Sequence, residues 1–255
     1  MTSEKTRWEV VANDIRQRIE RGELTPGSQV PGEFDLADSH GVSRQTVRTA
    51  LQRLQQEGLI TEGKGRLGRK VRLRQPLWWN LTQFERGERR DDPENGADDW
   101  AAGVIEQGRT PRQEVSVSIE PAPTAVAKHL GIPAGTLAAK RHRVRLVDDE
   151  PYQLASSWFP EDLVRGTALM EPRDIAVPGG LMSAIGHPQV RIHDEIQVRM
   201  PTLGEAAELQ LPSGTPVGQH TRVGYGKDGQ PFRVMVTIFA GDRHYLIYDQ
   251  DQADT

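Results

Sequence analysis

Gly41-Val42-Ser43-Arg44-Gln45-Thr46-Val47-Arg48-Thr49-Ala50-Leu51-Gln52-Arg53-Leu54-Gln55-Gln56-Glu57-Gly58 is the stretch on which the fold turns. Ser43 stands where a side-chain oxygen can cap the first helical turn, and Gly58 stands where a left-handed residue ends the helix. Between them Val47, Leu51 and Leu54 recur at i, i+4 and i+7, so they share one face. Arg44, Gln45, Arg48 and Gln52 lie on another. Towards the N-terminus, Trp8, Val11, Ala12, Ile15 and Ile19 repeat at helical spacing and predict an amphipathic helix ending at Gly22. Pro26-Gly27 makes a turn, and Pro31 precedes a shorter helix over about Glu33–His40, which Gly41 ends. Towards the C-terminus, Glu62-Gly63-Lys64-Gly65-Arg66-Leu67-Gly68-Arg69-Lys70-Val71-Arg72 follows Leu59-Ile60-Thr61. Its three glycines and the four basic residues before Val71, lying between two apolar strand candidates, predict a basic hairpin, a wing. It is no Walker loop, because no Lys-Ser/Thr follows a glycine at the required spacing.

A short helix, a tight turn and a helix with an Arg/Gln/Thr-bearing first turn is helix-turn-helix geometry. The first turn of such a recognition helix reaches base edges in the major groove. Arginine suits guanine bidentately, glutamine suits adenine, and serine or threonine reaches phosphate. An ordinary three-helix core with charged outer faces would show the same helices, but it would not require the wing.

The whole-chain charge points the other way at first. The 255 residues carry 32 Lys+Arg and 36 Asp+Glu, a net −4. Divided along the chain, residues 1–75 hold a net +4 and residues 76–255 a net −8. Residues 41–75 alone hold nine basic and two acidic side chains, a net +7. Counterion release at phosphates follows the local charge, so a basic module joined to an acidic one is compatible with DNA. With no cysteine there is no disulfide framework, thiolate metal site or Cys nucleophile. No apolar run is long enough to cross a bilayer, and the charged N-terminus lacks the apolar core of a secretory signal. The expectation is a soluble cytoplasmic protein with no membrane partner, so Asn80-Leu81-Thr82 is a chance glycosylation match.

Pro-Gly-Ser-Gln-Val-Pro-Gly-Glu-Phe-Asp-Leu-Ala at 26–37, the stretch from Gly41 to Leu54, and Glu57-Gly58-Leu59-Ile60 together resemble the winged helix-turn-helix of the GntR family of bacterial transcription regulators. The resemblance covers about residues 6–73. It implies DNA contacts by Ser43, Arg44, Gln45, Thr46 and Arg48, and by the wing residues Gly65, Arg66, Gly68 and Arg69. Phe34 stands where many members carry arginine, and Gly68-Arg69-Lys70-Val71 stands where Gly-Thr-Phe-Val is usual.

Residues 76–106, with Pro76, the adjacent Trp78-Trp79 and many acids, read as a linker, with a short helix near 97–107. Beyond it, residues 107–250 carry a repeat. Leu130-Gly131-Ile132-Pro133-Ala134-Gly135-Thr136 matches Leu209-Gln210-Leu211-Pro212-Ser213-Gly214-Thr215. Asp149-Glu150-Pro151-Tyr152 and Gly229-Gln230-Pro231-Phe232 follow in turn. Each copy reads helix, turn, strand, tight turn, strand, with Thr124 a cap for the first helix and Thr202 with Glu205 a capping box for the second. The fold class is therefore α+β: a winged helix-turn-helix followed by an antiparallel sheet with helices on one side. Within the strand Leu137–Val147, Arg141, Arg143 and Arg145 fall on one face at period two, and Arg143 is the repeat counterpart of Arg222. Like charges so placed need a compensating anion, either carboxylates of the neighbouring strand or a bound phosphate or carboxylate.

The two repeat motifs and the closing Asp228-Gly229-Gln230-Pro231-Phe232-Arg233-Val234 with its following strand resemble the UTRA effector-binding domain of the HutC subfamily, over about residues 100–250. That domain is similar in fold to chorismate lyase but acts as a ligand sensor. Members that bind amino-sugar phosphates hold the phosphate with an Arg-x-Arg pair, matched here by Arg143 and Arg145. Their sugar-holding Glu, Ser, Glu and Tyr correspond to Ala155, Gly180, Arg233 and Phe239. The resemblance implies an anionic effector with a more apolar body, and candidate effector residues Arg143, Arg145, Arg222 and Arg233. No cofactor or metal is expected. Gly224-Tyr225-Gly226-Lys227-Asp228-Gly229 fits G-x-G-x-x-G but precedes a strand, as a hairpin does, and the seven histidines lack ligand spacing. His187, His193, Asp194 and Glu195 read as a solvated loop.

The expected function is a ligand-responsive DNA-binding regulator and not an enzyme. It would be a repressor that binds a pseudo-palindromic operator in double-stranded DNA as a homodimer and is released by a small anionic molecule. Two alternatives stand beside it: a repressor of plasmid-transfer type whose second domain mainly dimerises, and an enzyme of chorismate-lyase-like fold with a DNA-binding appendage.

Overall fold

A computed structural model of the chain describes residues 6–61, 63, 68–72, 76–82, 99–173, 175, 185–212 and 214–249. The chain forms two compact units, the first of residues 1–75 with 211–215 and the second of the rest. In the first, α1 (Arg7–Glu20), α2 (Glu33–His40) and α3 (Arg44–Gln56) are set by the predicted signals. Glu9 Oε2 accepts from the Thr6 N–H at 2.7 Å, closing the first turn of α1. Gly41 ends α2 at φ 59°, a left-handed value that a β-substituted residue would resist. Ser43 Oγ then accepts from the Thr46 N–H at 3.1 Å and starts α3. Val11, Ile15, Leu36, Val47, Leu51, Leu54, Ile60 and Val71 form one buried core. The Val71 N–H donates to Ser28 O and the Arg72 N–H to Leu59 O, so the returning arm of the wing lies between Ser28 and Leu59. Gly65 and Arg66, expected at its tip, lie outside the described residues.

The second unit is built on a six-stranded antiparallel sheet of order β2-β3-β4-β7-β6-β5. Its strands are β2 (Pro111–Pro121), β3 (Leu137–Val147), β4 (Glu150–Pro160), β5 (Arg191–Arg199), β6 (Val217–Tyr225) and β7 (Pro231–Ala240). The order follows from the repeat. Each copy is strand, helix and hairpin: β2, α5 (Thr124–Leu130), β3 and β4, then β5, α7 (Leu203–Glu208), β6 and β7. The two copies meet where β4 pairs with β7, Ala155 opposite Thr237. The initial strands β2 and β5, which sequence periodicity alone did not reveal, form the two edges. Asp148 and Asp149 turn the β3–β4 hairpin at φ 52° and 63°, and the Asp148 carboxylate accepts from the Thr110 N–H and Arg109 Nε. On one face of the sheet Ala138, Trp158, Val223 and Val234 pack against Val126, Ala127 and Leu130 of α5.

The other face differs from the sequence expectation. It is not open, and parts of the segment read as a linker cover it. Leu77–Asn80 form β1, which pairs in parallel with β8 (His244–Ile247). Asp99–Glu106 form α4, whose Trp100 and Val104 are buried with Leu77, Val147 and Tyr152. A parallel pair joined across most of a domain leaves no local turn signature, which is why composition alone suggested a linker. The stretch 83–98 lies outside the described residues. After the short α6 (Glu161–Val164), a 3-10 turn at Ala168–Met170 and the chain to Arg173 follow, and carbonyls of this stretch reach the same face through Arg141.

Candidate nucleic-acid interface and ligand site

In the first unit, Arg44, Gln45 and Arg48 are exposed on α3. Thr46 is partly covered, its hydroxyl 2.8 Å from Ser43 Oγ, so these two side chains bond each other at the positive end of the helix. Glu33, the first residue of α2, gathers the arginines. Its carboxylate accepts from Arg48 Nε at 2.8 Å and from Arg69 Nη1 at 3.3 Å, with Arg44 at 3.7 Å. Burial would raise the Glu33 pKa, but the bonds from Arg48 and Arg69 outweigh it and hold the carboxyl below its ordinary value. Three guanidiniums around one carboxylate leave a positive surface with restricted rotamers. Recognition helix and wing are thereby tied together, since Arg48 belongs to α3 and Arg69 to the wing. In the sequence Glu33 is legible only as a helix start. Its place in Pro31-Gly32-Glu33 was the available signal. Gly68 has φ 62°, so the wing turns there in a conformation that favours glycine.

In the second unit, β3 places Arg141, Arg143 and Arg145 on one sheet face, as period two predicts, but all three are buried, at 1%, 8% and 6% exposure. Their cross-strand neighbours are neutral: Val117, Val115 and Gln113 on β2, and Ser157, Ala155 and Gln153 on β4. None of these directly opposed residues is a carboxylate. Arg141 donates to the carbonyls of Leu169, Glu171 and Arg173. Arg145 donates to Gln113 Oε1 at 3.1 Å and Gln153 Oε1 at 3.3 Å, and its guanidinium lies 5.0 Å from the Trp100 ring centre. Arg143 stands between them.

The repeat counterpart is engaged differently. Arg222 meets Asp194 bidentately, at 2.8 and 2.7 Å, and donates to Leu81 O at 3.0 Å. Burial would raise the Asp194 pKa; Arg222 and His220, the latter at 2.9 Å, instead hold it far below the usual carboxylate range. Asp194 pairs with Arg222 where Val115 pairs with Arg143. This places Asp194 on a strand facing inward, where a solvated loop was expected. Arg233 donates to Ser157 Oγ at 3.3 Å. Gly180 lies outside the described residues, while Phe239 packs on Trp79 with ring centres 5.7 Å apart. Gln153, Ser157, His220 and Thr237 complete a buried polar face, and sequence reading named none of them as ligand residues. Their signal is the parity of the strands, visible only after the register is known. The G-x-G-x-x-G stretch is the β6–β7 turn, where the Gly226 N–H donates to Gln230 O. Among the described residues no three His, Asp or Glu side chains converge as a metal site would need.

Residues 106–245 match the model of the UTRA domain, and residues 8–66 match that of bacterial regulatory proteins of the gntR family. An HTH-type transcriptional regulator of Streptomyces coelicolor is 29% identical over 98% of this chain and 94% of its own. The Bacillus subtilis HTH-type transcriptional repressor NagR is 26% identical over 95% of this chain and 93% of its own. The crystal structure of PhnF from Mycobacterium smegmatis shares the fold, with a TM-score of 0.58 at 22% identity, over 96% of this chain and all of that one. No described helix is long and apolar enough to cross a membrane. These relatives are transcription regulators and not enzymes, so the winged helix and the buried polar sheet face have a common setting: the chain belongs to the GntR family of transcription regulators with a UTRA effector-binding domain.

Proposed function

We propose that the protein is a cytoplasmic repressor that binds a pseudo-palindromic operator as a homodimer and releases it when a small anion enters the second unit. Residues 1–75 are the DNA-binding domain, and residues 107–250, with the strand and helix of 76–106 packed on them, are the effector and dimerisation domain. Ser43, Arg44, Gln45, Thr46, Arg48, Arg69 and the wing residues Gly65, Arg66 and Gly68 contact the operator. The observation that carries the effector reading is the row Arg141, Arg143, Arg145, buried on one sheet face within the stretch that matches the UTRA domain. Burying cationic groups is costly unless an opposite charge or fixed dipoles meet them. A second domain that only dimerised would not need this row. Arg143 holds the anion; Arg145, Arg222 and Arg233 border the site and are already oriented by Gln113 and Gln153, by Asp194, and by Ser157. Repression agrees with the designation of NagR as a repressor. The effector acts only if it binds the low-affinity form more tightly than the DNA-bound form. Gel shifts on the upstream inverted repeat, with and without phosphorylated and carboxylated metabolites, test this. Arg143→Ala should keep operator affinity and lose the response. Release of the mutant from DNA at the wild-type effector concentration refutes the assignment.

A further inference from the structure

The row of the sheet through Arg143 continues as Ala155, Thr237 and His220, each pair in direct cross-strand register. Thr237 and His220 are both fully buried. Thr237 Oγ1 and His220 Nδ1 find no hydrogen-bond partner among the described residues. The other ring nitrogen of His220, Nε2, lies 2.9 Å from Asp194 Oδ1. Asp194 is held ionised by Arg222, so it accepts and Nε2 carries the proton. In the neutral ring Nδ1 is then an acceptor, and beside it stands a hydroxyl that can donate and accept. A buried acceptor and a buried hydroxyl left unmet cost stability, so natural chains keep such groups for a partner. Between them and Arg143 the row carries only the small side chain of Ala155.

We propose that Thr237 and His220 are the hydroxyl-recognising half of the effector site. The ligand is an anion whose charge meets Arg143 and which carries a hydroxyl that donates to His220 Nδ1 and accepts from Thr237 Oγ1. Thr237 lies two strands from Arg143, about 10 Å at about 5 Å per strand, and a contact of about 3 Å at each end leaves room for a spacer of roughly two or three carbons. The proposal rests on the anionic-effector reading above and adds a polar end to a ligand that the sequence resemblance left apolar.

Calorimetric titration of the full chain tests it, using two probe pairs: glycerol 3-phosphate against propyl phosphate, and 4-hydroxybutyrate against butyrate. In at least one pair the hydroxylated member should bind roughly tenfold tighter or more, and only it should move the His220 Nδ1 resonance. Thr237→Val should abolish the preference while leaving the deoxy member bound, and should raise the melting temperature of the free protein by removing an unmet hydroxyl. Arg143→Ala should lose both members. Equal binding within each pair, a preference that survives Thr237→Val, or a lowered melting temperature in that variant overturns the hydroxyl assignment and leaves the anion site standing. Undiminished binding by Arg143→Ala overturns the anion reading instead. No binding of any probe at millimolar concentration overturns both.

Discussion

His244 makes the stability of the second unit pH-dependent in a calculable way. Its ring is enclosed by Trp79, Tyr152 and Phe239, with ring centres 6.4, 5.7 and 5.1 Å away. Nδ1 donates to Ala240 O at 3.0 Å, and Nε2 meets the Gln153 amide. Burial lowers its pKa to about 4, and the adjacent Arg243 adds to the shift. The folded state therefore resists a proton that the unfolded chain takes up near pH 6.5. Between these two values the unfolded state binds more protons, so stability is intact above pH 6.5 and falls as the pH drops towards 4. From pH 7 to pH 5 the loss is about 2 kcal/mol, at about 1.4 kcal/mol per pH unit below the unfolded pKa. For a unit of this size that is a fall of roughly 4–8 °C in melting temperature. Urea unfolding followed by tryptophan fluorescence reads it, because Trp79, Trp100 and Trp158 are all buried in the second unit. His244→Gln keeps a donor and an acceptor and cannot titrate. Its stability at pH 7 should be lower, but its loss between pH 7 and pH 5 should shrink by about 2 kcal/mol relative to wild type. Parallel pH profiles for the two proteins would refute the reasoning.

Two further outcomes concern the other ion clusters. Arg48→Ala should weaken specific operator binding by about 1–3 kcal/mol, if its guanidinium exchanges Glu33 for a base edge; unchanged affinity in a gel shift removes Arg48 from the interface. Asp194→Asn strands the buried Arg222 guanidinium and should destabilise the second unit by about 3–5 kcal/mol, whereas Asp194→Asn combined with Arg222→Met should restore much of that. Additive losses in the double mutant would show that the two side chains do not act as a pair.

How much of this was legible depended on the distance over which each signal acts. The caps at Ser43 and Gly41 and the 3.6-residue spacing of Val47, Leu51 and Leu54 act within a few residues, so α3 could be placed to within a residue. The same holds for the strand parity of Arg141, Arg143 and Arg145. Glu33 is different. It contacts Arg48 and Arg69, 15 and 36 residues away, and nothing local marks a carboxylate as the partner of two arginines rather than as a surface charge. The expected linker failed for a related reason. Trp79 sits in an acidic stretch that reads as a linker, and its place is visible only once β8, from the far end of the chain, is paired with β1.

The sequence by itself determined the winged helix module, the duplicated helix–hairpin plan and the row of arginines on one strand face. All of these rest on periodicity and on turn chemistry, which neighbouring residues settle between themselves. Only the tertiary structure decided that the arginine face is buried, and that Asp194 stands opposite Arg222 where Val115 stands opposite Arg143. Those facts depend on the register of strands brought together from both copies of the repeat. Register is set by the whole sheet closing at once, and the electrostatic environment of a buried charge is fixed only when it does.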